Sequence, residues 1–284
     1  MATLINGKKI AQELKNKIIL QVQQMEQRPG LAVILVGSDP ASKIYVENKE
    51  EACQAVGFYS KKIVLSKDTS QEMLIKEIKK LNHDPKIHGI LVQMPLPKHL
   101  SQDQIIQAID PSKDVDCLHP LNMGQMMALK ELPALDQLLT PCTPKGILKL
   151  IKSTNVTIAG KKAVVIGRSQ LVGKPISLML LAEDATVTMA HSRTQDLAKA
   201  CQQADILVVA VGHLNLITQE MVKPRSIVID VGINRLNGQV VGDIEFESVK
   251  QVAGFITPVP GGVGPMTIAC LLENTLILKN KQFL

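Results

Sequence analysis

The 284-residue sequence is 45% hydrophobic and 20% charged, carries a net charge of +6 and is only 2% aromatic. That suits a globular chain with one large core or two domains; lysines dispersed among acids, with so few aromatics, argue against a nucleic-acid stacking platform, and no apolar run approaches membrane-spanning length. The five cysteines form no C-x-x-C pair and the six histidines no H-E-x-x-H, so reduced thiols and no metal site are expected, and the opening residues lack the apolar stretch of a secretory signal, which points to the cytosol.

In chain order, residues 11–25 carry a helical amphipathic pattern. The β-rich run 31–36 ends at Gly37, and Ser38-Asp39-Pro40 then offers a helix cap with proline in the first turn, for a helix that reaches Val56 and stops at Gly57. Strands over 62–65 and 87–93 alternate with helices over 70–81 and 101–109, the rhythm of βαβ units. Residues 110–139, rich in proline and short helical pieces, break that rhythm and read as an interdomain connection. A helix from Pro141-Cys142-Thr143-Pro144 toward Lys152 restores it, followed by strands at 163–166, 185–190, 205–211 and 226–231. Residues 258–265 read as a rigid turn, and the helix from Met266 to about Leu278 is apolar on nearly every face, so it must be buried.

The strand at 163–166 leads through Gly167, Arg168, Ser169 and Gly173 into a helix at Lys174-Pro175. A strand, a glycine loop and a helix N-terminus hold dinucleotide phosphates in doubly wound folds. The spacing is not G-x-G-x-x-G, however, and a tight turn without a ligand uses the same residues. The next strand ends in His191-Ser192-Arg193-Thr194, where an NAD site places an acid against the ribose 2′-hydroxyl. Arg193, with Ser192 and Arg168, suits a 2′-phosphate instead and favours NADP over NAD. The two strands that follow end at Gly212 and Gly232, where a cofactor would cross the sheet.

In the first half, Ser42, Tyr45 and Lys49 share one helix face. On an open surface Lys49 is simply solvated; lining a cleft, a partly desolvated lysine has a lowered pKa and exchanges protons near neutrality. Gln93 ends a buried strand, where ligands collect in open α/β sheets. Asp114 and Asp116 serve as turn formers, a metal pair or binders of a donor-bearing ligand. Gly261, Gly262 and Gly264 most simply serve positive-φ turns.

These segments belong to an ordered set: S-x-x-Y-V-x-x-K (42–49), GILVQMPLP (89–97), KDVD (113–116), PCTPKG (141–146), GRSQLVGKP (167–175), HSRT (191–194), DVGIN (230–234) and TPVPGGVGPMT (257–267). Through them the chain resembles the bifunctional methylenetetrahydrofolate dehydrogenase/methenyltetrahydrofolate cyclohydrolase family along essentially its whole length. The resemblance implies an α/β fold of two domains with a cleft between them: a discontinuous folate-binding catalytic domain over 1–139 plus 264–284, and a Rossmann-type NADP-binding domain over 140–263. It implies oxidation of 5,10-methylenetetrahydrofolate with NADP, then hydrolysis of the methenyl product to 10-formyltetrahydrofolate, in one-carbon metabolism and purine biosynthesis. It also implies a cytoplasmic homodimer whose small-molecule partners are tetrahydrofolate derivatives, with no nucleic-acid or membrane partner.

Within that family Lys49 would be the catalytic lysine of both steps, Gln93 would bond and tune it, Tyr45 would pack on the folate ring system and Asp116 would bind the amino-pterin edge. Pro258, Pro260, Gly261 and Gly262 would line the folate site. Cys142 and Thr143 would border the nicotinamide, and Gly167, Arg168, Ser169, Ser192, Arg193, Gly212 and Ile233 would contact the cofactor. The chain departs from the family pattern at Cys117-Leu118, where glycine and phenylalanine are expected, and at Met94 in place of leucine. If the glycine position needs positive φ, Cys117 is strained or the loop shifts. The alternatives are a dehydrogenase without the hydrolytic step and a non-catalytic NADP- or folate-binding sensor.

Overall fold

The computed structural model describes residues 1–134 and 137–281. In chain order the elements are β1 (Thr3–Leu4), α1 (Gly7–Gln23), β2 (Gly30–Val36), α2 (Pro40–Ala55), β3 (Tyr59–Leu65), α3 (Gln71–Asn82), β4 (Gly89–Val92), α4 (Gln102–Ala108), α5 (Pro120–Met127) and α6 (Cys142–Lys152). They continue as β5 (Lys162–Ile166), α7 (Gly173–Leu181), β6 (Thr186–Ala190), α8 (Leu197–Gln202), β7 (Ile206–Val209), β8 (Ile227–Asp230), β9 (Asn234–Leu236), β10 (Gln239–Val241), α9 (Phe246–Val252), β11 (Phe255–Ile256) and α10 (Val263–Lys281). Among the described residues no helix is long and apolar enough to cross a membrane.

The chain divides into two compact units, one of residues 1–12, 129–133 and 143–267, the other of 13–128, 134–142 and 268–284. The first holds a six-stranded sheet in the order β1-β11-β8-β7-β5-β6, with every pairing parallel. Strands β5, β7 and β8 are buried almost throughout, as parallel strands covered on both faces must be. Sequence order reverses direction at β5, which lies between β6 and β7, and this is the switch point at whose carboxyl end doubly wound sheets bind ligands.

Residues 1–12, read from the sequence with the half that follows them, cluster with the six-stranded unit. Strand β1 pairs with β11 at the far end of the six-stranded sheet, Thr3 opposite Phe255 and Leu4 opposite Ile256, so the N-terminus belongs to that unit. Residues 282–284 and 135–136 of the expected folate domain lie outside the described residues.

The second unit is built on the parallel sheet β3-β2-β4, with β2 central and buried at every position. Helix α2 is capped as its sequence demands: the Asp39 carboxylate accepts the Ser42 N–H at 2.8 Å, and Pro40 occupies the first turn. Ser70 caps α3, which buries Leu74, Ile78 and Leu81 against Ile34, Ile90 and Val92. Residues 113–116 run beside β4. The Ile90 N–H donates to Lys113 O at 2.7 Å, Ile90 bridges Asp114 in parallel, and Gly89 is free of a side chain where Val115 packs against it.

Helix α10 begins at Val263, three residues earlier than the sequence suggests, because Pro265 falls in its first turn, where a missing N–H costs nothing. Residues 269–279 of this helix are buried without interruption.

Candidate active site

The three-stranded unit gathers Lys49, Gln93 and Asp116 from separate elements. Lys49 lies in the second half of α2, one turn beyond Tyr45, a residue 38% exposed. Gln93 follows β4 and prolongs its ladder, donating its backbone N–H to Ile34 O at 2.8 Å. The Lys49 ammonium Nζ donates to Gln93 Oε1 at 2.8 Å, and the Gln93 amide in turn donates to Met94 O at 2.6 Å, which fixes the carboxamide with its oxygen toward the lysine. Ile90 bridges Asp114, and the chain then turns at once, the Cys117 N–H donating to Asp114 O at 3.2 Å, so that Asp116 lies in the turn beside β4. Among the described residues the Asp116 carboxylate takes up no hydrogen bond.

Burial is the largest influence on Lys49 and lowers its pKa; the negative charge of Asp116 opposes this and does not overcome it. A lysine held this way loses its proton more readily than a surface one. Asp114 has a different part: buried, it accepts the His119 N–H and the Asn122 amide at 2.8 Å each, and so locks the turn into α5. Of the readings open for the two aspartates, turn former describes Asp114, while the charge of Asp116 acts on the lysine. Among the described residues no three His, Cys, Asp or Glu side chains gather as a metal site.

Cys117 has φ of 55°, so the position does require the left-handed conformation natural to glycine. Its thiol is buried and donates to Leu139 O at 3.6 Å. Cys142 is buried as well, with its thiol 3.5 Å from Val115 O. One buried residue that sequence reasoning missed organises this region. Asn274 of α10 donates from Nδ2 to Val115 O at 2.9 Å and to Thr140 O at 2.8 Å, tying the residue before Asp116 to the segment that enters α6. The available signal was the polar trio Glu273-Asn274-Thr275 inside an otherwise apolar helix, since a buried amide must find partners.

In the six-stranded unit the expected cofactor residues cluster at the carboxyl ends of adjacent strands. Ile166 and Ala190 are register partners, so Gly167-Arg168 leaving β5 and Ser192-Arg193 leaving β6 emerge side by side. Gly167 has φ of 121°, and a Cβ there would strike Ala210 O of the loop after β7. A side chain at Gly173 would overlap the backbone of Gly167, so both glycines are needed to close the turn. The Ser169 hydroxyl accepts N–H groups of Val172 and Gly173 at 3.2 and 3.4 Å. Arg168, Ser169, Ser192 and Arg193 are exposed, and among the described residues neither arginine has a carboxylate partner. Two unpaired guanidinium groups, with no acid at the end of β6, fit a phosphorylated ribose.

Gly212, at φ of 66°, and Ile233, 54% exposed, stand at the ends of β7 and β8. Thr143 bonds Thr267 between their hydroxyls at 3.0 Å. Of the turn after β11, Pro258 is half-buried and Pro260 exposed, while Gly261, at φ of 111°, accepts the Lys8 N–H at 3.1 Å; a Cβ at Gly262 would strike Pro258 O and Thr257, and one at Gly7 the carbonyl of Gly262.

A doubly wound unit with unpaired arginines at its switch point, joined in one chain to an α/β unit carrying a desolvated lysine, defines a dinucleotide-dependent enzyme with acid–base chemistry of its own. Residues 5–116 match the catalytic domain, and residues 141–283 the NAD(P)-binding domain, of tetrahydrofolate dehydrogenase/cyclohydrolase. The chain is 51% identical over 279 residues to the bifunctional protein FolD of Acetivibrio thermocellus, covering 97% of this chain and 96% of that one. The crystal structure of the bifunctional FolD dehydrogenase/cyclohydrolase from Campylobacter jejuni is similar with a TM-score of 0.94 and 45% identity, over 99% of this chain and 100% of that one. The Trypanosoma brucei dehydrogenase-cyclohydrolase, solved with NADP cofactor and an inhibitor, is similar with a TM-score of 0.94 and 36% identity, over 99% and 98% of the two chains. The protein belongs to the tetrahydrofolate dehydrogenase/cyclohydrolase family.

Proposed function

We infer that the protein oxidises 5,10-methylenetetrahydrofolate to the 5,10-methenyl compound with NADP and hydrolyses that product to 10-formyltetrahydrofolate. The observation that carries this reading beyond a dehydrogenase alone is the Lys49–Gln93 hydrogen bond at 2.8 Å on a lysine whose burial favours the neutral amine. We assign folate chemistry to the three-stranded unit and cofactor binding to the six-stranded one.

NADP, when bound, supplies the two-electron acceptor for the methylene carbon. Arg193 and Arg168 hold its 2′-phosphate by charge-assisted bonds, and Gly167, Ser169, Ser192, Gly212 and Ile233 offer it backbone and short side chains, with Cys142 and Thr143 bordering the nicotinamide. Oxidation leaves a resonance-stabilised methenyl cation, so that step needs alignment more than a strong base. Tyr45 stacks on the folate ring system and Asp116 accepts from its amino-pterin edge; Pro258, Pro260, Gly261 and Gly262, of the six-stranded unit, are assigned to folate contact as well. Water then adds to the methenyl carbon, and neutral Lys49 accepts the proton as the ring opens. The substrate cation further disfavours a charged lysine, and Gln93 Oε1 keeps one N–H of Lys49 engaged so that its lone pair is directed elsewhere.

The same reading makes the enzyme a cytoplasmic homodimer whose 10-formyl product serves purine biosynthesis; sedimentation of the purified protein checks the dimer. The activity itself is tested by following reduced cofactor with 5,10-methylenetetrahydrofolate plus NADP⁺ or NAD⁺, then decay of the methenyl absorbance when that compound is supplied alone. Both signals are expected, with NADP⁺ preferred. Cofactor reduction without accelerated methenyl decay would leave a dehydrogenase only, and binding without either signal would leave a sensor.

A further inference from the structure

The loops that end β7 and β8 are pinned from beneath by a pair of buried carboxylates outside the motif positions discussed so far, apart from the aspartate that opens DVGIN. Asp243 is fully buried. Its Oδ2 accepts the backbone N–H of Val211 at 2.9 Å and of Gly212 at 3.0 Å, in the loop just beyond the end of β7. Its Oδ1 accepts the side-chain amide of Asn234 at 2.9 Å, the residue after Ile233. Asp230, at the end of β8, accepts the N–H of Gly232 and of Asp243 itself, both at 3.0 Å, and of Ile244 at 3.2 Å. Glycine is required at two positions to admit these groups: a Cβ at Gly232 would overlap the Asp243 carboxylate, and one at Gly242 the Asp230 carboxylate.

We propose that Asp243 is a positioning residue for the cofactor: it sets the backbone of Val211-Gly212 and, through Asn234, that of Ile233, so that both loops present a fixed edge to NADP. The proposal rests on the reading above in which Gly212 and Ile233 contact the cofactor. Three accepted N–H bonds satisfy a buried carboxylate, and the dipoles they orient belong to two loops at once. The loop tips themselves are exposed, with Gly212 at positive φ and without side-chain packing to hold it. Without the carboxylate, three N–H groups lose this acceptor and the two edges move independently.

The two activities separate positioning from folding, because hydrolysis of the methenyl compound needs no cofactor. The test measures, for wild type, Asp243→Ala and Asp243→Asn, the NADP⁺ dissociation constant by calorimetric titration, the KM for NADP⁺ in the dehydrogenase assay and the rate of methenyl hydrolysis. For Asp243→Ala, NADP⁺ affinity is expected to fall about tenfold to a hundredfold, the range for lost bonds to a charged acceptor, with methenyl hydrolysis near the wild-type rate. Asp243→Asn keeps one oxygen for the Val211 and Gly212 N–H groups and loses only the acceptor for Asn234, so it should recover most of the affinity. Unchanged NADP⁺ affinity in Asp243→Ala overturns the proposal. So does a matching loss of hydrolysis or of soluble protein in both variants, which would make Asp243 a folding residue. If wild type itself does not bind NADP⁺, the cofactor reading fails and the proposal with it; if wild type binds and the variants bind equally well, only the positioning role is lost.

Discussion

The two units build their sites from different materials. In the six-stranded unit the site is main chain: Gly167 and Gly173 shape a turn whose positions are fixed by what a Cβ would strike, and the segments carrying Arg168 and Arg193 leave neighbouring strand ends because Ile166 and Ala190 are register partners. In the three-stranded unit the site is side chains from three elements, α2, the end of β4 and the strip at 113–116, and its geometry depends on one hydrogen bond and on burial. A main-chain site tolerates changes of exposed side chains at a cost in affinity and specificity. A side-chain site fails when its central group is removed.

That contrast sets the sizes of the expected effects. Lys49→Met should cost about 10² to 10⁴ in methenyl hydrolysis, the range for loss of a positioned base, while the NADP⁺ dissociation constant stays at its wild-type value. Gln93→Leu leaves the lysine and removes its partner, so hydrolysis should fall by about one to two powers of ten, the worth of a bond to a charged or buried group; equal rates in the two proteins would remove Gln93 from the mechanism. Arg193→Ala should raise the KM for NADP⁺ about tenfold or more and leave that for NAD⁺ alone, by loss of a charge-assisted bond. Equal effects on both cofactors would contradict the 2′-phosphate assignment.

Asp230 supplies a pH test of the main-chain side. Burial is the largest influence on its carboxyl, opposed by the N–H groups of Asp243 and Gly232 and reinforced by the charge of Asp243, and its pKa is pushed up to about 6 from 3.8. Between those values the folded protein binds the proton that the unfolded chain releases, so this group's contribution to stability falls as pH rises from about 4 to 6, by up to about 3 kcal/mol in total. Asp230→Asn should therefore flatten the change of Tm with pH across that window. Tm profiles of the same slope for both proteins would rule out the raised carboxyl. The smallest effect belongs to Cys117→Gly: relief of about 1 kcal/mol of left-handed strain is offset by the lost burial of the thiol and by glycine's chain entropy, so Tm should change by no more than about 2 °C.

Much of the main-chain site was legible because its determinants are local. The glycines of the β5 turn, the HSRT end of β6 and the Asp39-Pro40 cap each act within a few residues. The β9–β10 hairpin could have been read the same way, since Asn237-Gly238, both at positive φ, is the dipeptide a tight hairpin turn prefers. Lys49 and Gln93 were legible only as residue types at suggestive places, because their meeting depends on how α2 packs on the sheet of β2 and β3. Strand β1, with two residues and a partner some 250 positions away, carries no periodic signal at all. Asn274 and Asp243 escaped for the same reason: each acts on backbone groups distant in sequence, and nothing in their neighbours says which.

The central claim is that Lys49 acts as a neutral amine, and its pH profile tests that most directly. Methenyl hydrolysis above the buffer rate, measured against pH for wild type and Lys49→Met, should rise in the wild type as the amine loses its proton and level off with a midpoint below the 10.5 of an ordinary lysine, because burial lowers this pKa. The Lys49→Met enzyme should show no such rise. An identical rising limb in both proteins would contradict the account.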